Sequence, residues 1–184
     1  MLLRQGVREP RVSKLFGKRG TQWLDTLRVA GWAGTSLHGL RQLLADVRTQ
    51  LVPVLGTIRT TAVADPIARA LDARPGFSPV FSVTLRAEVG IITRFPDGPH
   101  LASYAGLVPR VERSGGRQWS GHITKAGSPW LRWALIQAAI HQLRRHDDFC
   151  RWARRLAVRK GILKARVAIA RALCDELFDV WPRG

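Results

Sequence analysis

The chain has 184 residues, 46% of them apolar, which is enough to bury a core in one or two small domains. It contains no run of about 18 apolar residues and no signal-peptide core, so the sequence argues against a membrane-spanning helix and predicts an intracellular protein. Lys and Arg number 30 against 13 Asp and Glu, a formal net charge of +17 that folding does not require. This excess predicts a polyanionic partner, with nucleic acid favoured and an anionic membrane surface as the alternative.

The N-terminal third is predicted to be a basic arm followed by a helical linker. Residues 1–20 are basic and interrupted by glycine and proline, which is typical of a mobile arm or a severed linker. A short helix is expected over Thr21–Val29, inside a helical linker that spans residues 21–63. One long helix dominates this linker, because its apolar residues alternate at spacings of three and four: Leu37, Leu40, Leu44, Val47, Leu51, Val54 and Ile58.

This narrow apolar stripe is typical of a coiled-coil seam and predicts homo-oligomers formed through the Leu37–Ile58 helix. An ordinary amphipathic helix that packs on a core is the alternative interpretation. Pro53 lies inside the helix and is expected to kink it, at a cost of about 3 kcal/mol.

Residues 64–184 predict a second, compact helical domain, so the expected fold is mainly α. Residues 64–90 are expected to form a helical hairpin around the turn Arg74–Pro79, either a plain turn or one that presents backbone N–H groups to a phosphate. Residues 91–127 predict a long basic glycine-rich loop. Helices should follow over 128–181, the first capped by Ser128 and the later ones covering Asp147–Val158 and Ile162–Phe178.

Positive charge is concentrated in this second domain. Between Arg110 and Arg171 there are 15 Lys and Arg and three acidic residues. We expect a surface that contacts the nucleic-acid backbone, whereas a solvated basic face is the alternative. The residues predicted to bind nucleic acid are Arg110, Arg113, Arg117, Trp119, Lys125, Arg132, Arg144, Arg151, Arg155, Arg159, Lys160 and Lys164.

Aromatic and sulfur-containing side chains add three expectations. Trp119 lies in the predicted loop and is a candidate for stacking on a base. Trp133 and Trp152 have apolar neighbours at helical spacing, which predicts core packing for both. Cys150 and Cys174 have no partner at metal-site spacing and are expected to be buried free thiols, as suits a reducing cytoplasm.

Ser114 is the candidate nucleophile of the chain. It precedes Gly115 and Gly116, which permit a sharp turn, and it lies between Arg113 and Arg117. A serine hydroxyl needs activation, and guanidinium groups stabilise the charge that develops when an alkoxide attacks phosphorus. Taken alone, Ser-Gly-Gly favours simple turn chemistry over a nucleophile.

Several short runs occur together in a fixed order: Leu101 to Pro109, Ser114-Gly115-Gly116, Ile123 to Gly127, and Leu131-Arg132. This pattern resembles the C-terminal domain of the IS110 family of insertion-sequence transposases, which is similar to the Piv invertases. The resemblance covers about residues 12–181.

The resemblance implies DNA transposition by a bacterial, cytoplasmic and nucleoid-associated protein guided by a bridge RNA. Full-length members join a RuvC-like domain, whose DEDD acids bind Mg²⁺, to a coiled-coil linker and a serine-bearing domain. By its place in the motif, Ser114 corresponds to the catalytic serine. Mg²⁺ is expected only with the N-terminal domain, and no cofactor or metal ligand is assigned in this chain.

Two departures from the family pattern matter. The acids present do not rebuild a DEDD set, since Asp175, Glu176 and Asp179 are typical of a solvated terminal turn. The hairpin turn reads Pro75-Gly76-Phe77-Ser78 where the family has a second glycine. We therefore expect the chain alone not to recombine DNA, and a non-catalytic DNA- or RNA-binding remnant of a truncated element is the alternative.

Overall fold

The computed structural model describes residues 6–8, 10, 12, 14–114, 117–144 and 148–181, with the side chains of 111–114, 117–120 and 180 outside that description. The chain divides into two compact units, residues 1–54 and 55–184. The described part is mainly helical, as the sequence predicted. None of its helices is both long enough and apolar enough to cross a bilayer.

The first unit contains helix α1, Lys18–Thr26, and most of helix α2, Gly31–Ala64. Helix α1 starts earlier and ends earlier than the predicted Thr21–Val29. Leu24, Ala33 and Leu37 are buried in this unit. Arg41 forms an ion pair with Asp25.

Helix α2 covers the whole predicted stripe, so the long helix is confirmed. Only Leu37 of the stripe is buried, whereas Leu40 is 61% exposed and Val54 is 53% exposed. The predicted boundary at 63/64 coincides with the C-terminal end of this helix, while the division between the two units falls inside it. Coiled-coil pairing stays a prediction.

The second unit opens with the predicted helical hairpin, formed by α3, Pro66–Asp72, and α4, Pro79–Val89. Asp65 begins α3 by accepting hydrogen bonds from the N–H groups of Ile67 at 2.8 Å and Ala68 at 2.9 Å. The same carboxylate pairs with Arg86 of α4 at 3.0 Å, which fastens the two helices together. The side-chain amide of Gln142 donates a hydrogen bond to the carbonyl of Pro75 at 2.6 Å. The turn therefore contacts another part of the chain, as expected of a plain helical hairpin.

The prediction of a loop over 91–127 is wrong in its main part. A single turn of 3-10 helix at Ile92–Arg94 leads to α5, Gly98–Tyr104. Strands β1, Pro109–Ser114, and β2, Arg117–Ile123, then pair antiparallel. The register joins Ser114 directly to Arg117, with two residues between them, and two-residue hairpin connections favour glycine. The glycine pair is therefore the sequence signal of a β-hairpin. Counting turn-forming residues alone does not detect it.

Three helices complete the second unit: α6, Pro129–Gln142, α7, Asp148–Lys160, and α8, Ile162–Val180. Their bounds lie within two residues of the predicted ones where those were given, and Ser128 caps α6 as expected, accepting from the N–H of Leu131 at 3.0 Å. Leu131 and Leu135 of α6 pack in one core with residues of α4, α5 and α8. Cys150 and Cys174 are both buried, as predicted.

Candidate nucleic-acid interface

The β-hairpin is anchored where two chain segments cross at its base. Ser128 N–H donates to the carbonyl of Tyr104 at 3.2 Å, and Lys125 N–H donates to that of Gly106 at 3.1 Å. Gly106 and Gly127 both have positive φ, and a Cβ on either would collide with a backbone oxygen of the opposite segment. Glycine is thus required on both sides of the crossing, because the backbones approach too closely for any side chain.

Arg132 fastens this crossing from helix α6. One of its terminal nitrogens, Nη1, donates to the carbonyl oxygen of Ala105 at 3.0 Å and to that of Lys125 at 3.1 Å. A guanidinium bonded to two carbonyls holds backbone in place. The sequence predicted a nucleic-acid contact for Arg132, and the structure gives this donor group a role in positioning the hairpin.

A second connection at the start of α6 was not foreseen from the sequence. The hydroxyl of Ser128 donates to Oε2 of Glu88 at 2.6 Å while it caps the helix. Glu88 belongs to α4, 40 positions earlier, so the bond ties the hairpin of helices to the end of the β-hairpin segment. An acid at that sequence distance carries no local signal that would reveal the pairing.

The predicted catalytic serine lies at the end of β1. The backbone register places position 117 directly opposite position 114, whereas Arg113 is paired with Gln118. The side chains of Arg113, Ser114, Arg117 and Trp119, and the residues Gly115 and Gly116, fall outside the described part of the chain. Their predicted roles stay predictions.

Other predicted contacts lie on exposed surface. Arg110 is exposed on β1, and Lys125 follows β2 with a positive φ of 53°. Arg144 is exposed just beyond α6. The remaining five are exposed along α7 and the start of α8: Arg151, Arg155, Arg159, Lys160 and Lys164.

Arg151, Arg155 and Arg159 form a basic face of α7, and this face includes a groove. The groove has a volume of about 210 Å³ and is lined by Trp152, Leu156, Arg155 and Arg159. Arg151 forms an ion pair with Asp148 one turn earlier. Arginines beside an exposed aromatic ring offer both phosphate contacts and a stacking surface.

The prediction of core packing for two tryptophans is wrong. Trp133 is 39% exposed and Trp152 is 43% exposed. Trp152 packs against Phe149 at a centroid distance of 5.3 Å, and Trp133 lies edge-on to Phe81 at 5.5 Å. Helical spacing places each ring on the apolar side of its helix, but other elements cover that side only in part.

The acids near the C-terminus are only partly solvated. Asp175 and Asp179 are exposed, but Glu176 pairs with Arg74 at 2.9 Å. Partial desolvation of the Asp175 carboxyl raises its pKa, and the nearby Asp179 and Asp97 add to the rise while Arg171 opposes it. Among the residues whose placement is described, no three or more His, Cys, Asp or Glu come together as a metal site.

Comparison with known proteins gives this arrangement a family. A profile described as the transposase IS116/IS110/IS902 family matches residues 68–155, from α3 into α7. By this match, residues 68–155 are a portion of a transposase of this family. The matched segment contains the β-hairpin, its crossing and Arg132.

Curated relatives carry the same kind of name. A "Probable family 20 transposase" of Pseudomonas aeruginosa is 29% identical over 141 residues, 74% of this chain and 42% of that protein. The "Transposase for insertion sequence element IS1111A" of Coxiella burnetii is 31% identical over 117 residues, 61% of this chain and 32% of the relative. An IS110 protein of 43.6 kDa from Streptomyces coelicolor is 32% identical over 101 residues, 55% and 25% of the two chains. The chain thus spans about two fifths, or less, of these relatives.

Proposed function

We propose that this chain is the serine-bearing, nucleic-acid-handling part of an RNA-guided transposase, and that Ser114 is its nucleophile. The observation that carries the proposal is the segment 104–127, in which the family motif coincides with a β-hairpin held at its base by backbone bonds and Arg132. Such fastening fixes the strand that ends at position 114, and a nucleophile needs a fixed approach to phosphorus.

The proposed chemistry forms one bond and breaks one. The Ser114 oxygen attacks a DNA phosphorus and loses its proton to solvent, a P–O ester bond to deoxyribose breaks, and the departing oxygen takes up a proton as a free hydroxyl. The resulting phosphoserine ester keeps an ester bond, so a second DNA hydroxyl can displace the serine and join strands. Arg117, opposite position 114 in the register, and Arg113 beside it would stabilise the negative charge on phosphorus.

Mg²⁺ enters this proposal only through residues outside the chain. The family resemblance assigns metal binding to the acids of another domain, and we derive no step through the ion here. We accordingly expect the isolated chain to bind DNA without exchanging strands.

DNA binding in the proposal uses the basic face of α7 and the start of α8. Arg155 and Arg159 line the groove with Trp152, and Lys164 is exposed at the start of α8. The formal charge of +17 adds long-range attraction that salt screens. A guide RNA would use the same chemistry, and the family resemblance alone supports that partner.

A second copy of the chain is the proposed partner of α2. Leu40, Val47, Leu51 and Val54 continue one 3-4 stripe and are exposed, so two such helices side by side would bury both stripes. Light scattering should give twice the mass of one chain for wild type and the mass of a single chain for Leu51→Lys. An unchanged mass for Leu51→Lys, or a monomeric wild type, would contradict pairing through this helix.

The nucleophile is tested in a chimera in which this chain replaces the matched portion of a full-length relative. The DNA substrate carries sulfur in place of the bridging oxygen at the cleaved phosphate, so that the departing thiol cannot reseal the strand. We expect a covalent protein–DNA band on a denaturing gel for the chimera, none for the isolated chain, and none for Ser114→Ala.

Ser120→Ala on the opposite strand is the matched control and should keep the band. A covalent protein–DNA band that persists in Ser114→Ala, or one that is also lost in Ser120→Ala, would contradict the assignment of the nucleophile. Strand transfer by the isolated chain, lost on Ser114→Ala, would overturn the expectation that another domain is needed.

The remnant hypothesis predicts a different outcome of the same experiment. A non-catalytic nucleic-acid-binding chain would bind DNA with strong salt dependence yet give no covalent band in the chimera. Arg155→Ala should weaken DNA binding under either hypothesis, with Arg59→Ala on exposed α2 surface as its control.

A further inference from the structure

A cleft lies between the base of the β-hairpin and helix α8, apart from the α7 groove and from position 114. Its volume is about 480 Å³, within the range of about 300–1,000 Å³ typical of small-molecule sites. The hairpin side contributes Pro109, Ile123 and Lys125, and the helix side contributes Lys164 and Arg171. Pro109 starts β1, so position 114 lies five residues, or about 17 Å, further along the strand.

The helix side of the cleft is a single face of α8. Lys164, Val167, Ala168 and Arg171 follow one another at spacings of three, one and three, which places them in one row. In this row the two aliphatic side chains lie between the two cations. A ligand lying along it would meet positive charge at both ends and apolar surface between them.

Apolar and basic groups are separated within the cleft. Ile123 and Val167 supply aliphatic surface. Every formally charged side chain among the described lining residues is basic, and His122 adds an imidazole. Asp175 lies one turn beyond Arg171 on α8, outside the lining.

We propose that this cleft holds one unstacked base of single-stranded DNA, with Lys125, Lys164 and Arg171 on the phosphates that flank it. This rests on the proposed function, in which the chain handles DNA. A nucleotide combines a flat, largely apolar base with an anionic phosphate, which matches an aliphatic recess with basic rims. A base inside a duplex is stacked on both faces and cannot enter a recess, so the cleft selects unpaired DNA.

The cleft and the basic face of α7 should differ in the form of DNA that they bind. The α7 face meets phosphates from the side and should bind duplex and single strand alike. The cleft should distinguish them, because only the unpaired strand can bury a base. A base held near the start of β1 would keep the displaced strand beside the hairpin during exchange.

The test is fluorescence anisotropy with a labelled 12-nucleotide single strand and the 12-base-pair duplex of the same sequence, using the whole chain. Ala168→Trp fills the cleft without changing charge. We expect it to weaken single-strand binding about tenfold or more and to change duplex binding less than about twofold. Ala168→Leu should give a smaller loss in the same direction, and circular dichroism confirms that both variants fold.

Two further measurements separate base burial from simple charge. Lys164→Ala should lower the slope of log K against log salt for the single strand by about 0.7, whereas Ala168→Trp should leave that slope unchanged. A 2-aminopurine base in the strand should brighten on binding wild type, as unstacking predicts, and brighten less with Ala168→Trp. Ala87→Trp, on exposed surface of α4, is the control and should match wild type.

Equal weakening of duplex and single strand by Ala168→Trp, or no weakening of either, would overturn the cleft proposal. So would a response seen with the corresponding RNA strand and not with DNA. Wild type that binds neither form of DNA would instead contradict the proposed function, so the two failures are distinguishable.

Discussion

Helices α2 and α6 are both rich in apolar residues, but these residues are buried in α6 and largely exposed in α2. In α6, Leu131, Ala134, Leu135, Ala138 and Ala139 are all fully buried. In α2, Leu40, Val47, Leu51 and Val54 follow an equally regular pattern and are exposed. Periodicity therefore determines which residues share a face, whereas burial depends on whether another element covers that face.

The largest difference between the two helices should appear on truncating a leucine. Leu135→Ala removes a fully buried side chain from the core and should lower the free energy of unfolding by about 2–5 kcal/mol. Leu51→Ala should change the unfolding of the monomer by less than about 0.5 kcal/mol, measured in urea at low concentration. Similar losses in both variants would show that α2 is already covered within one chain.

Replacing a glycine with alanine should destabilise the protein next to α6 and stabilise it within α2. Gly127, just before α6, has a φ of +91° and no room for a Cβ. Gly127→Ala should therefore cost about 1–2 kcal/mol for the left-handed backbone and about 1–3 kcal/mol for the collision. Gly56→Ala, inside α2 with nothing within 4 Å, should stabilise by about 0.5–1 kcal/mol. Thermal unfolding of both variants measures the contrast, and destabilisation by Gly56→Ala would contradict it.

Arginine truncation should give a smaller contrast. Arg132→Ala on α6 leaves the carbonyls of Ala105 and Lys125 without their shared donor and should cost about 1.5–3 kcal/mol. Arg59→Ala on α2 removes an exposed cation and should cost less than about 0.5 kcal/mol. Arg132→Lys keeps the charge but not the guanidinium and should recover only part of the loss. Full recovery by lysine would indicate that charge, rather than hydrogen-bond geometry, stabilises the crossing.

The packing around α6 also predicts a dependence on alkaline pH. Helix α8 packs on α6, and burial raises the pKa of the Cys174 thiol to about 12 from its ordinary value near 9. Since the folded state resists ionisation, its contribution to stability is complete below pH 9 and is lost as pH rises toward 12. Between pH 9 and 11, wild type should lose up to about 1.4 kcal/mol per pH unit more than Cys174→Ala. Identical losses in the two proteins would show that the thiol ionises freely when folded.

Much of the helical fold could be predicted from the sequence because its signals are local. The caps at Ser128 and the proline after it, and the apolar spacing of α8, depend on neighbours a few residues away. The β-hairpin was missed for a related reason: abundant glycine and proline over 91–127 indicated a loop, although a glycine pair between two short polar segments also fits a hairpin.

The site is harder to predict, because its contacts join distant positions. The partner carbonyls of Arg132 come from residues 7 and 27 positions away, and Glu88 lies 40 positions from Ser128. A basic residue that holds backbone and one that contacts DNA have the same sequence signature. The cleft against α8 likewise depends on an approach of two segments that spacing within either one does not reveal.

The crossing beneath the hairpin has a consequence for how such a chain diversifies. Thr124 N–H donates to the carbonyl of Val108 at 2.9 Å, so the ends of segment 108–124 are adjacent while the helical core closes beneath them. A segment with neighbouring ends behaves as an exchangeable cassette: its length and composition can change without altering the scaffold that carries it. Swapping this cassette between relatives would move the candidate nucleophile to a new scaffold and leave folding to the helices.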